Sequence, residues 1–165
     1  METMDQMNGA RAVADLTAGE IVATVEIAAV PGRVFRALVS EEITGWWVRP
    51  GVFDTREWTG DVRVGGTWRA AGMTRGQPYV QQGEFLEIDS PRRLAHTWNG
   101  AGRPDVPSVV TYVLEAIGPE RTRVTLRHAG FASRDMCGAF AAGWETSFRR
   151  LAEILDRTHA VGGAR

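Results

Sequence analysis

The stretch SVVTYVLEAIGPERTRVTLRHAG, residues 108–130, decides how this chain folds. In its second half Val124, Leu126 and His128 share one face, while Arg123, Thr125 and Arg127 share the other. A period of two marks a strand buried on one side. The first half is rich in β-branched residues, and GPER (118–121) between the halves is a short turn. Strands joined so closely run antiparallel, because a parallel crossover needs about a dozen residues or more.

The same pattern extends upstream. From Phe53 onward, short apolar runs alternate with turns, and no helical pattern intervenes before His128. Gly65-Gly66 reads as a two-residue hairpin joining GDVRV to TWRAAGM, with both glycines at positive φ. YVQQGEFLEI follows, with Gly83 read as a bulge that curls the sheet, and then RLAHTW. NGAGRPDVP (99–107) reads as a polar loop. About six strands in succession make an antiparallel meander.

The flanks supply the rest. In EIVATVEIAAV the residues Ile21, Ala23, Val25 and Ile27 line one face, which predicts a first strand. Pro31 then starts a short helix with Val34/Leu38 and Phe35/Val39 stacked at i, i+4. Ser40 is placed to cap a second, shorter helix that ends near Gly45 and leaves Trp46 and Trp47 at its exit. Beyond residue 133, Cys137, Phe140, Trp144, Phe148, Leu151 and Leu155 recur at helical spacing, with Ser133 as cap. The expected fold is α+β: a curved antiparallel sheet covered by a long C-terminal helix, with two short helices after the first strand. Residues 1–18 are expected to be a flexible leader, 19–158 a single domain and 159–165 a flexible tail.

Composition removes several functions. The formal charge is −1 with a pI near 6.3, which lacks the basic surplus of a nucleic-acid binder. All 19 basic residues are arginine, so Schiff-base, P-loop and kinase-type lysine chemistry is excluded. Cys137 stands alone, so no intrachain disulfide forms. No metal-ligand spacing, nucleophile elbow or phosphate loop occurs, and neither a metal nor a cofactor is expected. With no apolar run of membrane-spanning length and no secretory signal, a cytoplasmic protein is expected.

Taken in order, GWW, GGTW, RLAHTW, SVVTYVLEA, TRVTLRHAGF and GWETSFRRLAEIL carry a resemblance over residues 19–157. Together they resemble the family named for homologues of the activator of the heat-shock ATPase chaperone, a stand-alone branch of the START-like (SRPBCC) superfamily. The resemblance implies a helix-grip fold, with the sheet wrapped around the last helix and an apolar cavity between them. It implies a binding protein for an apolar, aromatic or lipid-like small molecule. Two alternatives stay open: a polyketide cyclase or aromatase-like enzyme, and a co-chaperone-like module regulating a heat-shock ATPase. The chaperone partner is the least favoured, since the known co-chaperone carries an additional domain. Whether any reaction is catalysed is left open, and so is a homodimer.

No catalytic residue is assigned. The expected ligand-binding set is Trp47, Trp68, Tyr112, His128, Phe140, Trp144 and Phe148. Trp46 is assigned to the core and Trp47 to the cavity rim, because adjacent side chains diverge on either a strand or a helix. Trp68 is expected inward and Arg69 in solvent; an inward arginine would instead bind a carboxylate. His128, by parity, faces inward, either as a hydrogen-bonded structural group or as a group that orients ligand or takes a proton. His96 makes a weaker case of the same kind, and His159 none. Gly138 and Gly143 interrupt the last helix, either for close packing or to leave room for a ligand.

Overall fold

Among the described residues, eight strands and three helices form in the order β1 (Arg11–Asp15), β2 (Glu20–Ile27), α1 (Pro31–Leu38), α2 (Ile43–Trp46), β3 (Glu57–Gly60), β4 (Thr67–Thr74), β5 (Gln77–Asp89), β6 (Arg93–Trp98), β7 (Ser108–Gly118), β8 (Arg121–Ala129) and α3 (Arg134–Gly163). The protein is represented by a computed structural model that describes residues 9–99 and 107–163, with side chains as far as Asp156. The strands make one antiparallel sheet in the order β1-β2-β8-β7-β6-β5-β4-β3. This is the helix-grip arrangement.

Register carries the apolar faces across the sheet. Ile21, His128, Val110, His96 and Phe85 are successive partners in one inward row. Ala23, Leu126, Tyr112 and Leu94 make the next. The outer face is charged, with Arg127 on Glu20 at 2.7 Å and Arg121 on Glu26 at 3.2 Å.

Cys137, Trp144, Phe148, Leu151 and Leu155 give α3 a buried stripe. Its backbone lies chiefly against β1, β2 and α2, not against β4 and β5. Two of its carboxylates reach back to the sheet side: Glu145 accepts from Ala12 N and Asp156 from Ala28 N, each at 3.0 Å. Arg150 donates to the Gly45 carbonyl at 3.2 Å and so ties down the end of α2. Ser133 Oγ accepts from Met136 N at 3.2 Å, the expected cap.

Several expectations are corrected. Residues 11–15, read as leader, form strand β1, so the two short helices follow the second strand, not the first. Its inward residues are Ala12 and Ala14, which pack on the core but give almost no apolar signal. The hairpin before Trp68 is longer than two residues: β3 ends at Gly60, and only Gly65 has positive φ. The bulge lies between Phe85 and Glu87, not at Gly83. Gly83 is needed for close approach, since a Cβ there would strike the Thr97 carbonyl and the Trp68 indole. Helix α3 continues through residues expected to be tail, to Gly163. The side chain of His159 and residues 100–106 of the polar loop lie outside the described residues.

Candidate functional site

The paired tryptophans organise one end of the molecule. Trp46 is buried and donates its N–H to the Ala37 carbonyl at 2.9 Å, beside Phe148. Trp47 turns the other way, 80° from its neighbour, toward Trp68, Trp98 and Trp144 at centroid separations of 5.6, 4.8 and 6.3 Å. Its N–H leans toward the Tyr112 hydroxyl without closing a hydrogen bond. Burial drives that hydroxyl far above the ordinary phenol range. Tyr112 therefore stays a neutral phenol.

His128 sits beneath this cluster. An indole N–H can only donate, so the 3.1 Å contact from Trp144 Nε1 makes Nδ1 of His128 an acceptor. The proton is then on Nε2, which donates to Ser108 Oγ at 2.7 Å, and Ser108 passes its own to the Trp98 carbonyl at 3.2 Å. Burial, with a smaller contribution from His96, lowers the His128 pKa to about 3. Both nitrogens are thus committed to protein. His96 donates Nδ1–H to the Thr97 carbonyl at 2.9 Å, and burial lowers its pKa to about 4.

Because α3 leans on β1 and β2, its first half stands away from the β4–β5 hairpin. A cleft of about 740 Å³ opens there, between α3, the 47–55 loop and the hairpin. Trp47, Phe53, Trp98, Phe140 and Trp144 supply its aromatic walls. Gly143 lies on its floor, where a Cβ would meet the Phe53 ring at 3.4 Å. Gly138, by contrast, faces only Leu16.

Three of the seven expected site residues line this cleft: Trp47, Phe140 and Trp144. Trp68, Tyr112, His128 and Phe148 instead form the packed layer behind it, all at most 2% exposed. Trp68 does face inward, donating to the Thr97 carbonyl at 3.2 Å, while Arg69 is exposed. Sequence reasoning missed the polar lining, which comes from loops, from strand β5 and from helix α3. Ser147 is 3% exposed, and its hydroxyl makes no hydrogen bond among the described residues. Tyr79 donates to the Asp54 carbonyl at 2.7 Å and meets Thr55 Oγ1 at 2.8 Å. Arg49, Arg75 and Asp135 bring charge. Only Ser147 had a local signal, since it falls four residues from Gly143 on the same helix face.

Residues 28–156 match the family described as Activator of Hsp90 ATPase homolog 1-like protein. The chain belongs to that family. No curated protein sequence matches it. Among solved structures, protein CV1439 from Chromobacterium violaceum is similar at 22% identity and TM-score 0.70, covering 84% of this chain and 97% of that one. Ms6760 from Mycobacterium smegmatis is similar at 20% identity and TM-score 0.71, covering 90% and 98%. CalU16 from Micromonospora echinospora is similar at 24% identity and TM-score 0.58, covering 82% and 73%. These are START-like proteins, and the likeness is one of fold. In this Activator of Hsp90 ATPase homolog 1-like chain, no described helix is long and apolar enough to cross a membrane. Among its described residues no cluster of His, Cys, Asp and Glu is arranged to hold a metal ion.

Proposed function

We propose that this chain binds an apolar, aromatic or lipid-like small molecule in the cleft between α3, the 47–55 loop and the β4–β5 hairpin. The observation that carries the reading is the cleft itself. Its volume of about 740 Å³ falls within the roughly 300–1,000 Å³ usual for small-molecule sites. Its walls are indole and phenyl faces, and burying a ligand against them releases ordered water from both surfaces. Ser147, which lines the cleft, offers a hydroxyl with no described partner, a polar anchor of the kind that fixes a ligand's orientation. Trp68, Tyr112, His128 and Phe148 act behind the walls by holding Trp47 and Trp144 in place.

A proton-transfer enzyme has less support. Both nitrogens of His128 are occupied, and the Tyr112 hydroxyl is sealed among aromatic rings. A chaperone-directed role is a separate reading that no described feature of the cleft favours.

The test is a thermal-shift screen with aromatic, polyketide-type and fatty ligands, alongside native mass spectrometry of protein purified from its own source. A binder raises Tm by mass action on the folded state. Gly143→Leu, which fills the cleft, should remove the shift. If no ligand raises Tm and no small-molecule mass is retained, the reading is wrong.

A further inference from the structure

The charge at the cleft mouth narrows the kind of ligand, on the reading that the cleft is a binding site. Many of the arginines are ion-paired: Arg33 meets Glu42, Arg56 meets Asp54, Arg93 meets Glu87 and Arg127 meets Glu20. Arg49 and Arg75 both line the cleft, and among the described residues neither closes an ion pair or side-chain hydrogen bond. Arg49 is only half exposed, so part of its hydration has been given up with no counter-charge gained.

Backbone geometry brings the two together. Arg49 N donates to the Phe53 carbonyl at 3.0 Å, and its own carbonyl accepts from Val52 N at 2.9 Å, closing a small loop. That loop is pinned to the end of β4, where Arg75 N donates to the Val52 carbonyl at 2.8 Å. Positions 26 apart in the chain thus share one rim. Arg75 also sits at φ +49°, the first of two positive-φ residues in the β4–β5 turn, followed by Gly76 at +81°. Such a turn favours Asn-Gly, and a long side chain there gives up backbone stability. Asp135 also lines the cleft, leaving an excess of one positive charge among its lining residues.

We propose that the ligand is an anionic amphiphile, with an aromatic or apolar body between Trp47, Trp98, Phe140 and Trp144 and an acidic head paired with Arg49 and Arg75. A guanidinium fork matches the oxygens of a carboxylate or sulfonate in a way a neutral head does not. Arg69, expected in solvent, is exposed there, and the acidic head falls to Arg49 and Arg75 instead.

The test uses two dyes with one aromatic skeleton: anilinonaphthalene sulfonate and its uncharged parent, phenylnaphthylamine. Fluorescence titrations compare the native chain with Arg49→Gln, Arg75→Asn, the double variant, and Arg69→Gln as a control for net charge. The double variant should lose about tenfold in affinity for the sulfonate and keep its affinity for the neutral dye. Added salt should weaken the sulfonate alone. Arg75→Asn should hold or raise Tm while lowering sulfonate affinity, which separates lost binding from lost folding. Cleft-filling Gly143→Leu and Ala139→Phe locate the dyes and should weaken both. If the double variant binds both dyes like the native chain, or Arg69→Gln weakens the sulfonate equally, the acidic-head inference fails and the cleft reading stands. If neither dye binds, or both bind the cleft-filled variants unchanged, the cleft reading fails and takes the inference with it.

Discussion

The indole N–H of Trp144 donates to Nδ1 of His128 across 3.1 Å, and that bond fixes the imidazole proton on Nε2. A residue of the helix thereby sets the tautomer of a residue of the sheet. Protonating Nδ1 would point two donors at each other inside the core, in addition to the cost of burying a charge.

An unfolded histidine takes its proton near pH 6.5, whereas buried His96 and His128 resist until about 4 and about 3. Between those limits the unfolded chain binds more protons, so stability is full above 6.5 and drains away as pH falls toward 4 and then 3. Each histidine contributes a slope of about 1.4 kcal/mol per pH unit. Urea midpoints measured from about pH 7.5 down to about pH 5 should therefore decline. A flat profile would show that these imidazoles are not buried neutral.

Trp144→Phe removes the indole donor and leaves a smaller aromatic ring in its place, so Nδ1 of His128 loses its partner and some packing goes with it. We expect a loss of about 1–2 kcal/mol and an upward move of the His128 titration, since the neutral form loses a bond that favoured it. Imidazole NMR titration checks this. An unmoved His128 pKa would mean that Trp144 does not hold the tautomer.

How much of this was legible in the sequence depends on how local each signal is. Parity placed Val124, Leu126 and His128 on one face, and all three are buried. Helical spacing found the α3 stripe from Cys137 to Leu155, and the divergence of adjacent side chains separated Trp46 from Trp47. Strand β1 escaped because its inward residues are alanines. Inwardness also proved different from lining a cleft. Tyr112 and Phe148 face in as parity and period require, yet the space beside them is filled by other rings. That outcome depends on the tilt of α3 toward β1 and β2, which no local pattern encodes. Arg49 and Arg75 were invisible for the same reason, because backbone bonds between distant turns bring them to one rim.

Two glycines should respond to alanine in opposite directions. At Gly138 a Cβ meets only the end of Leu16 at 4.0 Å, so Gly138→Ala should gain helix propensity of up to about 1 kcal/mol. At Gly83 the new methyl would collide with the Thr97 backbone carbonyl beneath the Trp68 indole, and neither can move aside cheaply. Gly83→Ala should cost about 3 kcal/mol. Chemical denaturation of both variants reads the contrast; equal effects would contradict the packing described at Gly83.

Glu145 guards a sheet edge. Among the described residues strand β1 pairs with β2 on one side only, and Ala12 N donates to Glu145 Oε1 at 3.0 Å. The carboxylate reaches from α3 and closes part of an edge that would otherwise present a free amide to another chain. Glu145→Ala should therefore do more than remove one bond worth about 1 kcal/mol. The Ala12 amide should exchange with deuterium faster while amides in β7 and β8 stay protected, because only the edge opens. The exposed strand should also promote concentration-dependent association, read by sedimentation velocity. Glu145→Gln, which keeps an acceptor oxygen, should restore slow exchange. If Ala12 exchanges at the same rate in all three proteins, Glu145 is not what protects the edge.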